Sequence, residues 1–155
     1  MTDADPRHPV VIAIDPGRAK CGLVVASPGN PGGRAELHVR DIVPTERLVA
    51  RVLPLLRDWS PERILIGDGT HGARLARALR DSVPESVPIE KVPEAHTSRR
   101  ARDRVVRDAL PRGIARLVPA GMRVPVKPWD DTVAAILAED WYARQGNAGE
   151  PTPTV

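Results

Sequence analysis

The stretch that decides the fold is Val10–Ser27, VVIAIDPGRAKCGLVVAS. A short, continuous apolar run from Val10 to Ile14 leads into Asp15 and then the Pro16-Gly17 turn signal, so it reads as a central strand. A second apolar run, Cys21 to Ala26, follows a basic segment and is closed by SPGNPGG. A carboxylate at the end of a buried strand is costly unless it is paired, hydrogen-bonded or bound to a cation. Asp15 therefore needs partners from elsewhere in the chain.

Outward from this hairpin, AELHVRDIV (Ala35–Val43) alternates imperfectly and reads as a third strand, more exposed than the first. Three strands joined by turn-rich links predict an antiparallel meander. The period then changes: Leu48, Val49, Val52, Leu55 and Leu56 follow helical spacing after Pro44 and Thr45, with Pro54 expected to kink or shorten the helix. RILIG (Arg63–Gly67) is a fourth strand, Ala73–Arg80 a helix, and IEKV (Ile89–Val92) a brief fifth strand. A helix from about Thr97 to Leu110 follows, with Ala101, Val105 and Ala109 inward, then Pro- and Gly-rich chain from Pro111 to Pro128. A last helix is predicted from near Asp130 to about Arg144, with Val133, Ile136, Leu137 and Trp141 as its core stripe. The order β-β-β-α-β-α-β-α-α predicts an α/β domain with a mixed five-stranded sheet flanked by helices. That is the ribonuclease H-like layout, whose strand order 3-2-1-4-5 would put the first strand in the middle. Residues 9–144 form the domain, with a flexible N-terminus over 1–8 and a disordered tail over 145–155.

Bulk properties agree with one globular domain: 155 residues, 41% hydrophobic and 28% charged. No apolar run approaches the ~20 residues of a membrane helix. The acidic start, MTDADPRHP, is unlike a signal peptide, which predicts a cytoplasmic protein without a membrane partner. Cys21 is the lone cysteine, which leaves no internal disulfide or thiolate metal site and suits a small buried apolar group. Of the 23 basic residues only Lys20, Lys91 and Lys127 are lysine. The arginine excess has two readings, phosphate recognition or GC-rich coding. At 3% aromatic residues, a surface that grips single strands by base stacking is disfavoured.

Hard cations such as Mg²⁺ take carboxylate oxygens together with water and substrate phosphate, and paired ions can drive phosphodiester hydrolysis. Four acids fall where the predicted fold would bring them to Asp15. Asp68 follows the fourth strand, Glu94 lies just past the fifth, and Asp130 and Asp131 open the last helix. Each also has a structural reading. Asp130 suits a helix N-cap and Asp131 a first turn, Glu94 an exposed surface and Asp68 a turn.

Three motifs resemble those of the YqgF/RuvX family, ribonuclease H-like proteins described as Holliday-junction resolvases and pre-16S rRNA nucleases. AIDPGRAKCGLVVAS is similar to the first, with an aspartate, a glycine two residues on, a basic stretch, then Gly and aliphatics. PEAHTSRRA resembles the family's Glu-Arg-x-Thr-Thr-x-x-Ala motif, with Glu94, Thr97, Ser98 and Ala101 in register, and DDTVAAILAEDW its Asp-x-x-Ala-Ala helix, with Asp131, Ala134 and Ala135 matching. The resemblance spans about Val10 to Tyr142. It departs at Pro93, Arg18 and Ala95, where the family has Asp, Thr and Arg, and at GDGTHG after strand four. The family's acidic trio falls on Asp15, Glu94 and Asp131, which implies a nuclease using Mg²⁺ or Mn²⁺ on RNA or branched DNA, as a monomer or homodimer. The related RuvC group carries an acid at the end of strand four, which keeps Asp68 a candidate beside Asp130. His71 and His96 flank the site, for proton transfer or plain hydrogen bonding.

Gly67-x-Gly69-x-x-Gly72 between a strand and a helix, with Glu90 beyond, also matches a dinucleotide-binding fingerprint. Three preceding strands in hairpin style argue against it. The Asp-x-Gly start likewise resembles the phosphate loop of the actin and sugar-kinase superfamily, which needs two lobes where this chain has one. A third alternative is a non-catalytic nucleic-acid-binding module. The helix from Thr97 carries Arg99, Arg100, Arg102, Arg104 and Arg107. Arg99–Asp103 and Arg104–Asp108 could pair along it, whereas Arg99 and Arg100 in its first turn oppose the helix dipole. Arg18, Lys20, Arg99, Arg100, Arg104 and Arg107 are the candidates for backbone phosphate contact.

Overall fold

In the computed structural model, which describes residues 9–29, 34–95, 97–109 and 130–147, β1 (Val11–Asp15) pairs antiparallel with β2 (Lys20–Ser27). β2 pairs antiparallel with β3 (Glu36–Pro44). On its other side β1 runs parallel to β4 (Arg63–Gly67), which runs parallel to β5 (Ile89–Val92). The sheet order is β3-β2-β1-β4-β5, as expected. The mixed directions follow from the links: a turn reverses β1 into β2, whereas β4 and β5 are each reached through a helix. Those helices are α1 (Leu48–Trp59) and α2 (Gly72–Ser82).

β1 is buried on both faces because its alternate residues feed two different cores. Ile12 and Ile14 join Leu23, Ile64, Ile66 and the inward sides of α1 and α2. Val11 and Ala13 join Val24, Leu65, Val92 and the last helix, α4 (Asp130–Asn147). This explains why β1 reads as an unbroken apolar run.

α4 extends past the Arg144 expected as its end and is buried nearly all round. Ala134, Ala135, Leu137, Ala138 and Trp141 pack on the sheet, while Val133 and Ile136 meet Ala101 of α3 (Thr97–Ala109). The expected stripe missed the alanines, whose small side chains let the helix lie close to the strands. In α3 the inward residues are Ala101 and Val106; Val105, expected inward, is only half-buried. Such a polar helix is held by ion pairs as well. Arg104 meets Glu139 of α4 through two bonds of 2.9 and 3.0 Å, and Arg100 meets Asp140 at 2.8 Å.

α1 continues through Pro54. The carbonyl deprived of its partner belongs to Ala50, on the solvent side, where water can satisfy it. A bulge in β3 sets Val25 against Val39 and Ala26 against Leu37, leaving His38 as the extra residue. His38 stacks on Trp59 at 4.8 Å and hydrogen-bonds Ser27 through Nε2 at 2.9 Å. No helix among the described residues is long and apolar enough to cross a membrane. The expected N-terminus over 1–8, the Pro- and Gly-rich segment and most of the tail lie outside the described residues.

α1 ends at Ser60, whose φ of 45° is left-handed while its N–H donates to the Leu56 carbonyl at 3.1 Å. A serine there carries a Cβ penalty that glycine lacks. Ser60→Gly is therefore expected to stabilise the fold by about 0.5–1 kcal/mol in urea unfolding. An unchanged midpoint would mean that the cap is not strained.

Candidate active site

The three parallel strands end at one edge of the sheet, and the acids follow from that. Asp15 is the last residue of β1, Asp68 follows β4, and Glu94 lies two residues beyond β5. Alternation decides which way each strand-end residue points. Asp15 continues the Val11–Ala13 series toward the α4 side, and Gly67 continues from Leu65 on that side. The turn after Asp15 is pinned by Thr45. Its N–H donates to the Ala19 carbonyl at 3.0 Å, its hydroxyl to the Gly17 carbonyl at 2.9 Å, and Cys21 Sγ lies 3.4 Å from that hydroxyl.

Two glycine positions make the close approach possible. Gly22, the partner of Asp15 across the β1–β2 ladder, carries the first turn of α4 directly on its backbone. A Cβ there would overlap the carbonyl of Asp130. Gly67 leaves the space taken by the Glu94 carboxylate, which would collide with any side chain at that position.

The result is a knot of negative charge. Burial, then Glu94, then Asp130 raise the Asp15 carboxyl from 3.8 to about 7. Glu94 is also raised, chiefly by burial and then by Asp68, while a hydrogen bond from the Gly69 backbone opposes the shift. Glu94 Oε1 is buried without a hydrogen-bond partner. Asp130 is held by Lys20 at 3.1 Å. Asp68 is exposed and accepts the Glu94 N–H at 3.0 Å, so it fixes the chain that carries Glu94. Thr97 reinforces this, its buried hydroxyl donating to the Glu94 carbonyl.

One member of the expected trio is placed differently. Asp131 turns to Arg40 of β3, at 2.9 Å, and Arg40 reaches Thr132 as well. The helix leaves Asp130, not Asp131, within the field of Asp15. Arg40 was not legible beforehand, since nothing in the β3 pattern marks it out. Two of the arginines expected to contact phosphate have acidic partners within the fold. Arg104 is committed to Glu139, both side chains being about 15% exposed (14% and 15%), and Arg100 to Asp140. The pairs run between helices because α3 lies on α4. Asp108, offered to Arg104 by spacing, pairs with Arg34 at 3.0 Å. Lys20 lies at the site but on Asp130. Arg18, Arg99 and Arg107 are exposed. His71 precedes α2 and makes no side-chain cap bond; His96 lies outside the described residues.

The glycine fingerprint is accounted for without a dinucleotide. A carboxylate lies against Gly67 and Gly69, where a pyrophosphate would need donors. Glu90 is held by Arg63 at 2.7 Å and by the Trp141 indole at 3.2 Å.

No family model matches the chain, and no curated protein does. Solved structures do. Thermus thermophilus RuvC superposes with a TM-score of 0.55 at 22% identity, covering 88% of this chain and 96% of that one. The same protein in complex with a Holliday junction substrate gives 0.55 at 23%, covering 90% and 97%. The yeast mitochondrial Holliday junction resolvase Ydc2 gives 0.55 at 15%, covering 88% and 78%. The fold is ribonuclease H-like. Its sheet order and flanking helices are those expected from the sequence.

The donors suit a hard divalent cation: all are carboxylates, one oxygen is buried and unpartnered, and among the described residues no cation offsets their mutual repulsion at Asp15. Among the described residues no three such groups converge into a ready-made ligand cluster, and Asp130 is paired with Lys20.

In the native protein Asp15 keeps its proton up to about pH 7, whereas the unfolded chain releases it near 3.8. The unfolded state binds fewer protons across that window, so stability falls as pH rises through it. In chelator, Asp15→Asn is expected to gain on the order of 1–2 kcal/mol over the wild type above neutrality, allowing for partial solvent access. The gain should vanish at about pH 4. A pH-independent difference would assign the effect to packing. Gly22→Ala should cost roughly 2 kcal/mol or more by lifting α4 off the sheet, read from its denaturation midpoint.

Proposed function

We propose that this chain is a nuclease that hydrolyses phosphodiester bonds in branched DNA with Mg²⁺ or Mn²⁺. The observation that carries the reading is the uncompensated Asp15 carboxyl at the end of a buried central strand, with Glu94 and Asp130 in its field. The solved junction resolvases of the same fold support it.

Asp15, Glu94 and Asp130 would hold the metal. Asp130 takes the third place because it lies in the field of Asp15, whereas Asp131 turns to Arg40. When bound, the metal supplies an activated water and stabilises the leaving oxygen. The rest is done by the chain. Gly67 and Gly69 make room for the Glu94 carboxylate, Asp68 and Thr97 fix the backbone that bears it, and Arg40 sets the rotation of the α4 start through Asp131. Lys20 neutralises Asp130 until metal and substrate arrive. Arg18 and Arg99, exposed, lie in the β1–β2 turn and the first turn of α3 for contact with phosphate. Symmetric resolution of a junction needs two such sites, hence two copies.

A second reading, processing of pre-16S rRNA in the manner of the YqgF/RuvX family, draws on the Glu94-Thr97-Ala101 motif. Thr97 and Ala101 are both buried, with Thr97 on the Glu94 carbonyl, so the spacing that resembles the family has a structural use here.

The test is cleavage of a labelled four-way junction, linear duplex and structured RNA with Mg²⁺ or Mn²⁺. Junction cleavage is expected, with Asp15→Asn and Glu94→Gln each slowing it at least about 100-fold. Divalent metal should also raise the melting temperature of the wild type above pH 7 and leave that of Asp15→Asn unchanged. Cleavage of RNA alone would select the second reading. Binding without cleavage of any substrate would make the fold a nucleic-acid-binding module.

A further inference from the structure

The arginines of this chain fall into two populations. Arg34, Arg40, Arg51, Arg63, Arg100 and Arg104 are paired with Asp or Glu within the fold. Arg74, Arg77 and Arg80 of α2 are not: all three are exposed and form no ion pair among the described residues. They recur every third residue on the side of α2 opposite Leu75, Ala76 and Leu79, which are packed in the core. Asp81 is the single acid of the helix, and it does not pair with Arg77 although their spacing would permit it.

The stripe begins at the rim of the carboxylate site. Gly72, the first residue of α2, packs on the Gly67 carbonyl and against Pro16, the neighbour of Asp15. Arg74 lies in a first turn without an acid, where a cation opposes the helix dipole. A helix that bears an uncompensated cation there gains nothing from it within the fold. From Arg74 to Arg80 the axis rises about 9 Å, a length over which duplex DNA presents roughly five phosphates. The exposed side chains of α2 include no aromatic residue, so nothing on it stacks unpaired bases.

We infer that Arg74, Arg77 and Arg80 form a track that holds the phosphate backbone of a duplex DNA arm as it leaves the site across the α2 face. This rests on the nucleic-acid reading of the Asp15 site and adds a second, non-catalytic contact to it. The track adds to the exposed Arg99 of α3, whose neighbours Arg100 and Arg104 are paired with α4.

The experiment is equilibrium binding of the full-length chain to a four-way junction in chelator, across a salt series, for wild type and the triple variant Arg74→Gln, Arg77→Gln, Arg80→Gln. At about 0.1 M salt the triple variant should bind roughly tenfold more weakly, and the slope of log Kd against log salt should fall by about two to three. Shortening the junction arms should weaken the wild type and leave the triple variant unmoved. Arg57→Gln, an exposed arginine at the far end of α1, should change nothing, and the melting temperatures of all three should agree. The charge reversal Arg77→Glu alone should reproduce part of the loss. Unchanged affinity and slope in a triple variant whose wild type cuts junctions would overturn the track alone. A wild type that binds no nucleic acid would overturn the track together with the function proposed for Asp15. Loss of self-association in the triple variant, with DNA binding intact, would reassign the face to a second copy of the chain.

Discussion

The carboxyl of Asp15 sets the constraint around which the site edge of this molecule is built. A strand fed by two cores has little solvent to offer its last side chain, and the neighbours that the fold supplies are acids. Among the described residues none neutralises Asp15 itself; Lys20 stands near but is engaged by Asp130. The protein therefore keeps the proton on that group up to about neutrality, and stability is given up as the proton leaves. Glycine at positions 22 and 67 tightens the arrangement, since each removes a side chain that would have kept the acids apart. A fold selected for stability alone would place an apolar residue at position 15.

The first turn of α4 is the other half of the arrangement. Its two consecutive aspartates project about 100° apart around the helix, so only one can face Asp15. Arg40 on β3 takes Asp131, and the bare backbone of Gly22 lets the turn that carries Asp130 sit against β2. The helix has little freedom to rotate in response, because Ala134, Ala135 and Ala138 are packed on the sheet and Val133 and Ile136 on α3. The position of one carboxylate is thus fixed by packing spread along most of the helix.

The sheet was legible because its signals are local. Val10–Ile14, the Pro16-Gly17 turn and the shift from two-residue to helical spacing after Pro44 each report on their own segment, and the ribonuclease H-like layout that they match supplies the sheet order. Asp15 and Glu94 were legible for the same reason, as acids at strand ends. The choice between Asp130 and Asp131 was not, because it depends on Arg40, which is 91 residues away in sequence. The partners of the α3 arginines were hidden in the same way. Spacing along one helix offered Arg104 to Asp108, whereas the helix packed against it offered Glu139 in a drier place, where the ion pair is less screened. The glycine fingerprint is ambiguous for a related reason: glycines mark close approach, and the sequence does not say whether a phosphate or a carboxylate is what approaches.

The same distinction separates the arginines. Composition showed an excess and could not divide it between coding bias and use. Pairing divides it. Arg104 and Glu139 fasten α3 to α4 in a mostly buried bridge, and Glu139 also accepts the Ala35 N–H at 2.9 Å, so the pair ties the β2–β3 link to both helices. Removing either partner would strand a charge in a dry place, which gives those residues a structural reason to be present. No such reason exists for Arg74 or Arg77, which stand in solvent with no acid engaged. An arginine without an internal partner costs the fold little and contributes little to it, so its presence must be explained by something outside the molecule or by the genome. The nearness of α2 to Asp15, through Gly72 and Pro16, is the physical ground for preferring the first.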